Sequence, residues 1–192
     1  YHISVSGRPG PVLIDVPMDF QRKKIIPSKL KKYLPKKNKS ISIKKKIKKL
    51  KFFISKSKKP VLILGGGLKC SKSKKELNIF IKKIKIPIVA SWSGTDLIDH
   101  NDIKYIGNIG VYGNRLANIA VQNSDLILCL GSRLDTRVTG GKPYSFAPYA
   151  KKIVVDIDKY ELSKQRGLKI DLKFNSNLKY FLEEVNNHKL YL

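Results

Sequence analysis

Asp125-Leu-Ile-Leu-Cys-Leu-Gly-Ser-Arg-Leu-Asp-Thr-Arg-Val-Thr-Gly140 holds an unbroken apolar run that stops at a glycine, with two arginines, an aspartate and a threonine directly behind it. A run with no polar alternation suits a strand buried on both faces, the condition of a parallel sheet covered by helices. In such sheets small molecules bind outside the carboxyl ends of the strands. Gly131 lets backbone come close to a ligand, and Arg133 and Arg137 offer planar, multi-donor guanidinium groups for phosphate or carboxylate. Any one of these residues also reads as part of a charged surface loop behind a strand. Their grouping is what points to a ligand.

The same rhythm continues on both sides. Upstream, Pro60-Val-Leu-Ile-Leu64 stops at Gly65-Gly66-Gly67, and Ile86-Pro-Ile-Val-Ala90 stops at Ser91-Trp-Ser-Gly94. Downstream, Ile153–Ile157 forms a fourth apolar segment. Between them lie amphipathic stretches. Ile43, Ile47, Leu50, Phe53 and Ile54 recur at three- and four-residue steps over 42–57; Leu77, Phe80, Ile81 and Ile84 share a face of 73–84; 114–123 and 178–186 also read as helices. Strand alternating with helix predicts an α/β fold, a Rossmann-like parallel sheet with helices on both faces. Gly110-Val-Tyr-Gly113 falls in a segment read mostly as loop.

Residues 1–20 contain Gly7-Arg-Pro-Gly-Pro11, then Val12-Leu-Ile-Asp-Val16 and Pro17. They read as a turn, one short strand without partners of its own, and a proline stop, the end of a packed element, as if the chain were a fragment of a longer protein. Residues 21–41, rich in Lys, Pro and Ser, read as a linker. The core domain is then 42–192.

With 42% apolar residues in 192, the chain is long enough for a buried core and is not of disordered composition. No apolar run approaches the ~18–20 residues that cross a bilayer, and no secretory segment opens the chain, so a soluble, cytoplasmic protein is expected. Cys70 and Cys129 have neither metal-ligand nor disulfide-framework spacing. The formal charge of +26 raises a polyanion-binding module as one reading. Against it, lysines crowd residues 22–59 and the outer helix faces, arginine is scarce, and aromatics do not alternate with the basic residues as a stacking groove requires. A compositional bias that places lysine on solvated faces explains the charge, so nucleic acid is not taken as the partner.

Each candidate site residue has a plainer reading beside it. Gly65–Gly67 allow backbone to approach a diphosphate or simply make a tight turn, and they lack the G-x-G-x-x-G spacing. Trp92 can stack on a planar ring or cap the core. Asp156 can accept from ribose hydroxyls or serve locally, and Asp158 reads as a helix cap with Glu161 three residues on. His2, His100 and His188 come with no nucleophile arrangement, and His100 reads as an exposed loop residue. No residue earns a catalytic or metal-ligating role.

With those residues in view, the chain resembles the thiamine-diphosphate-dependent enzymes of the acetolactate synthase type. Gly7–Pro17 looks like the segment that closes their pyrimidine-binding domain, and residues from about 42 to 186 look like their central domain. The most specific stretches are Ala117-Asn-Ile-Ala-Val-Gln-Asn-Ser-Asp-Leu-Ile127 and Gly131-Ser-Arg-Leu-Asp-Thr-Arg-Val-Thr-Gly140. The resemblance implies an extended FAD contacting Gly65, Gly66, Gly67, Ser91, Trp92, Ser93, Gly110, Val111, Tyr112, Gly131, Ser132, Arg133, Asp135, Arg137, Asp156 and Ile157. It further implies thiamine diphosphate and Mg²⁺ held outside this chain, 2-oxo acid substrates such as pyruvate, a homodimer or homotetramer, and no activity in this chain alone. The chain departs from the family where Gly-Met-His-Gly is Gly110-Val-Tyr-Gly113, where a second aspartate is Thr136, and where a Gly-Asp is Leu172-Lys173. These departures leave a flavin-free carboligase or decarboxylase relative as the alternative.

Overall fold

The structure, a computed structural model, describes residues 1–34, 42–164 and 167–188. It divides into two compact units, Tyr1–Ser40 and Ile41–Leu192. The first carries two single-turn helices, α1 (His2–Val5) and α2 (Met18–Gln21), and a 3₁₀ turn at Pro27–Lys29, with no buried residue in any of them. Residues 12–16, read above as a strand, are extended but form no strand, and Leu13 and Ile14 are exposed. A strand exists by pairing its N–H and C=O groups with a neighbour, and this unit offers it none. Part of the expected linker, residues 35–41, lies outside the described residues.

The second unit is the parallel α/β fold that the apolar runs predict. Its elements are α3 (Lys44–Lys56), β1 (Pro60–Leu64), α4 (Gly67–Cys70), α5 (Lys74–Lys83), β2 (Ile88–Ala90), β3 (Tyr105–Asn108), α6 (Arg115–Gln122), β4 (Leu126–Leu130), α7 (Thr136–Thr139), β5 (Lys151–Asp156), α8 (Lys159–Lys164), β6 (Leu172–Asn175) and α9 (Leu178–Asn187). The six strands lie in the order β3-β2-β1-β4-β5-β6, and every pairing is parallel. The chain order reverses between β1 and β4, the switch point where such sheets open a crevice at their carboxyl edge.

Every residue of β4 is buried because both sheet faces are covered. On one face Leu62, Leu64, Leu128, Ile153 and Phe174 pack with Ile47, Leu50 and Ile54 of α3, Leu77 and Phe80 of α5, and Phe181 and Leu182 of α9. On the other, Ile63, Val89, Ile127, Cys129 and Val154 pack with Ala117 and Val121 of α6, Phe146, Ala147 and Leu162. Alternate residues of each strand thus feed opposite cores, and each buried Leu, Ile or Phe is worth about 1.5–3 kcal/mol over exposure. Lys152 is the charged member of the second core. Its ammonium donates to Ala147 O (2.7 Å) and Ala150 O (3.1 Å), closing the turn that precedes β5, and burial lowers its pKa. Among the described residues no helix is long and apolar enough to cross a membrane.

Candidate functional site

In a parallel sheet all strands end on the same edge, and the register decides which loop residues share a line. Leu64 pairs with Ala90 and with Leu130, Ala90 with Asn108, and Leu130 with Val155. The next residues, Ile109, Ser91, Gly65, Gly131 and Asp156, therefore form one row across β3-β2-β1-β4-β5. At about 4.8 Å per strand the row spans roughly 19 Å. Of the candidate positions, Gly65, Ser91, Gly131 and Asp156 stand in this row, and the others fall in the loops that follow these strands.

At the centre of the row the two glycine turns meet. The Gly65 N–H donates to Leu130 O (2.9 Å) and the Gly67 N–H to Gly131 O (3.0 Å). A Cβ on Gly65 would overlap the Gly131 carbonyl, and one on Gly66 would lie 2.7 Å from Ser93 Oγ. The triple glycine is thus required first by the protein's own backbone, which closes β1 against β4 and against the loop after β2. Gly131 holds φ +66°, a conformation glycine adopts without strain.

Behind β4 the chain makes a braced loop. Leu134 is buried at φ +49°. Asp135 caps α7 by accepting from the Arg137 N–H at 3.1 Å, and Arg133 Nη2 reaches Asp135 Oδ2 at 3.4 Å. Arg133 and Arg137 are both exposed at this edge. The loop after β3 is tied to the same segment, since Val111 N–H donates to Arg137 O (2.9 Å) and a Cβ on Gly110 would overlap that oxygen. Asn118 fixes Gly110 from the other side, accepting from its N–H and donating to its carbonyl, both at 2.9 Å. Asn114 Oδ1 accepts from the Asn108 N–H at 2.8 Å. The roles of Asn114 and Asn118 escape a sequence reading because an asparagine in a helical stretch carries no signal of the loop it holds. Asn118 does stand within the quoted Ala117–Ile127 stretch.

Towards the β2 and β3 end, Trp92 and Tyr112 stack on each other, centroids 5.5 Å apart at 25°. They remain 61% and 78% exposed, with Val111 exposed beside them. Trp92 is thus a surface aromatic and not a core cap. Ser91 is buried, and its hydroxyl lies 3.4 Å from that of Ser93. Towards the β5 end, Asp156 Oδ1 accepts from the Asp158 N–H at 2.8 Å, and Asn175 Nδ2 donates to Ile157 O at 2.8 Å. Asp158 caps α8, accepting from the Tyr160 N–H (2.8 Å) and the Glu161 N–H (3.3 Å). Beside Asp156 a crevice has Leu134, Val154, Leu162, Leu168 and Ile170 as an apolar floor and Ser132, Arg133 and Glu161 on its polar rim.

The loops behind the row carry exposed aromatics at the β2–β3 end and, behind β4 and β5, two arginines beside carboxylates and an apolar crevice. That donor set fits an elongated ligand with an anionic centre and a planar ring, as a dinucleotide has. Cys129 beneath the row is buried, and burial pushes its thiol up to about 12, far from a nucleophilic thiolate. His100 Nε2 lies 3.2 Å from Thr95 O and its ring packs on Tyr105. Among the described residues no three of His, Cys, Asp or Glu gather to hold a metal.

Comparison with known proteins agrees with this architecture. The chain is 32% identical over 178 residues to the acetolactate synthase isozyme 2 large subunit of Escherichia coli (strain K12), covering 92% of this chain and 32% of that protein. It is 36% identical over 195 residues to acetolactate synthase 2, chloroplastic, of Nicotiana tabacum, covering 97% and 28%. With acetolactate synthase, chloroplastic, of Arabidopsis thaliana it shares 38% over 174 residues, covering 86% and 25%. The chain thus spans about a third or less of the length of these relatives. The family model for the thiamine pyrophosphate enzyme, central domain, matches residues 47–185, from α3 through α9. The chain belongs to the thiamine pyrophosphate enzyme family and carries its central domain.

Proposed function

We propose that this chain is the FAD-binding central domain of an acetolactate-synthase-type enzyme. The observation that carries the reading is the row itself: Trp92 and Tyr112, the Gly65–Gly67 turn, Arg133 and Arg137, and Asp156 and Ile157 lie side by side along one sheet edge. Arg133 and Arg137 would hold the diphosphate, the exposed Trp92–Tyr112 stack would face the planar ring, and Asp156 would accept from a ribose hydroxyl. Ser91, Ser93, Ser132 and Asp135 support this edge by shaping its loops. In the complete protein, thiamine diphosphate and Mg²⁺, held outside this chain, supply the chemistry that decarboxylates a 2-oxo acid such as pyruvate and joins the fragment to a second 2-oxo acid. On this reading residues 1–20 close a pyrimidine-binding domain, 21–41 link it to the central domain, the enzyme is a cytoplasmic homo-oligomer, and this chain alone is inactive.

The test uses Trp92, the chain's one tryptophan, as the reporter. FAD is titrated at moderate salt while Trp92 and flavin fluorescence are followed, alongside ADP and a DNA duplex as ligands. Saturable binding that quenches Trp92 and weakens at least tenfold in Arg133→Ala/Arg137→Ala supports the flavin reading, since a charge-assisted hydrogen bond contributes about 1.5–3 kcal/mol. ADP binding as tightly as FAD, with Trp92 unquenched, favours a flavin-free relative that holds another nucleotide; the mutual stacking of Trp92 and Tyr112 is the observation on its side. Binding only to DNA, insensitive to the arginine substitutions, defeats both.

A further inference from the structure

We infer that Leu134 is a positioning residue: anchored by its side chain in the floor of the crevice beside Asp156, it holds the left-handed turn that presents Arg133 to the diphosphate of a bound ligand. Leu134 stands at φ +49° and is 2% exposed. An L-residue is uncommon in that region because its Cβ crowds a neighbouring carbonyl oxygen. Among the described residues two others that are not glycine share it, Lys72 at +53° and Ala147 at +43°, and each has a local cause. Lys72 closes the turn after α4, its N–H donating to Lys69 O at 2.9 Å, and helix ends are where left-handed residues are common. Ala147 is fixed by hydrogen bonds on both sides, its N–H donating to Gln122 Oε1 and its carbonyl accepting from Lys152 Nζ. Leu134 has no such ties: among the described residues neither its N–H nor its carbonyl has a hydrogen-bond partner. What holds it is packing. It belongs to the same core as Val154, Leu162 and Leu168 and floors the crevice with them.

The chain on either side is fixed, so the turn decides where one side chain goes. Ser132 is buried, and its carbonyl accepts from the Cys129 thiol at 3.4 Å. Asp135 is tied to α7, its Oδ1 accepting from the Arg137 N–H and its carbonyl from the N–H groups of Val138 and Thr139, both at 2.9 Å. Between these fixed points Arg133 is the exposed residue, and across the turn its Nη2 lies 3.4 Å from Asp135 Oδ2. Glycine would take the conformation of Leu134 without strain, but it would leave the floor unfilled and the turn free to relax. Leucine supplies the anchor and bears the strain, and strain that packing maintains beside a ligand-binding edge is a mark of function. Leu134 thus acts through Arg133. The inference rests on the anion-binding part of the proposed function and is independent of the flavin.

The experiment is a double-mutant cycle read by calorimetric titration of the 192-residue chain with FAD and with inorganic pyrophosphate at physiological ionic strength. The proteins are wild type, Arg133→Ala, Leu134→Gly, the double variant, Leu134→Met, and the control Val61→Ala, whose residue lies in the same core near the amino end of β1. Arg133→Ala and Leu134→Gly are each expected to weaken binding about tenfold. The double variant is expected to lose about tenfold as well, since a turn without its arginine has nothing left to aim, whereas independent roles would multiply to about a hundredfold. Leu134→Met restores an apolar anchor of similar volume and is expected to bind within about twofold of wild type. Val61→Ala is expected to lower the urea midpoint without changing affinity, which separates a loosened core from a misaimed arginine. Where Leu134→Gly does not fold, Leu134→Ala takes its place in the cycle with the same expectation. A double variant whose loss is the product of the single ones, or a single variant at either position of the cycle that binds as wild type does, overturns the inference. Coupled loss of pyrophosphate binding in a chain that binds no FAD refutes the flavin alone, FAD binding without coupling refutes the role of Leu134 alone, and a wild type that binds neither ligand refutes both.

Discussion

Gly65 and Gly141 show how one residue type carries different weight by position. A Cβ at Gly65 meets the backbone of Gly131 and Ser132, neither of which can move without reopening the β1–β4 junction, whereas a Cβ at Gly141 meets nothing within 4 Å. Gly65→Ala is expected to cost about 1–3 kcal/mol, read as a lower urea midpoint, while Gly141→Ala stays within about 1 kcal/mol of wild type. Equal effects would mean that the junction yields. At the opposite edge of the sheet Asp125 binds the α3–β1 connection, accepting from the Ser57 hydroxyl and from the amides of Lys58 (2.7 Å) and Lys59 (3.0 Å). Burial works to raise its pKa, but these donors outweigh it and hold the carboxyl below its ordinary value. A carboxyl depressed in the folded state adds stability above the unfolded pKa of about 3.9, and loses it as pH falls through the folded value. Asp125→Asn is therefore expected to lower stability by about 1–3 kcal/mol at pH 7, with the gap to wild type narrowing in acid. Urea midpoints for both proteins across pH 2–7 check it, and a gap that widens in acid would defeat it.

At the scale of elements, α9 anchors one core. Phe181 is fully buried and meets Phe174 of β6 edge-on at 5.0 Å, so Phe181→Ala is expected to cost about 3–5 kcal/mol, against less than about 0.5 kcal/mol for the exposed Tyr160→Ala; thermal melts of the two variants decide it. The elements legible in the sequence are those whose pattern is unmixed. β1 and β4 are continuous apolar runs and β5 holds Ile153-Val-Val155 at its centre because they lie inside the sheet, and α3 and α5 show period because lysine marks one face and isoleucine, leucine and phenylalanine the other. β3 and β6 went unread. They are the two outermost strands, each with one neighbour: Tyr-Ile-Gly-Asn of β3 is half-buried throughout, and Leu-Lys-Phe-Asn of β6 alternates buried with half-buried and exposed positions, so neither shows a continuous apolar run. Val12–Val16 failed in the opposite sense: its apolar run has no partner strand in its own unit. At the candidate site the glycines and arginines were legible as a group, because strand ends announce themselves. The bonds of Asn114 and Asn118 across the β3–α6 loop were not, because they depend on how the loop folds back and not on any periodicity.

For the molecule as a whole, the decisive quantity is charge. A net +26 over 192 residues works against the compact state, because folding gathers 40 Lys and Arg side chains around only 14 carboxylates. Among the described residues the Lys69–Asp96 pair, with both partners exposed at 2.9 Å, contributes at most about 1 kcal/mol, and pairs such as Lys151–Asp171 join an exposed lysine to a largely buried carboxylate. Self-repulsion of the lysine-covered α3 and α5 faces is therefore expected to outweigh local attraction, and screening the one raises stability while screening the other lowers it. Screening weakens both, but the repulsion is summed over many separations longer than the Debye length at physiological salt, whereas the attraction acts at contact. Raising sodium chloride from about 0.01 M to about 0.15 M shortens that length from about 30 Å to about 8 Å. The urea midpoint of the chain is accordingly expected to rise over this range with an unchanged m-value, which marks a change in stability rather than in the surface exposed. Stabilisation that needs sulfate and fails with chloride at matched ionic strength would point to anion binding at the arginines, because screening is blind to the identity of the ion. A midpoint that falls as chloride is added would show that the carboxylates, few as they are, are placed so that attraction governs the fold.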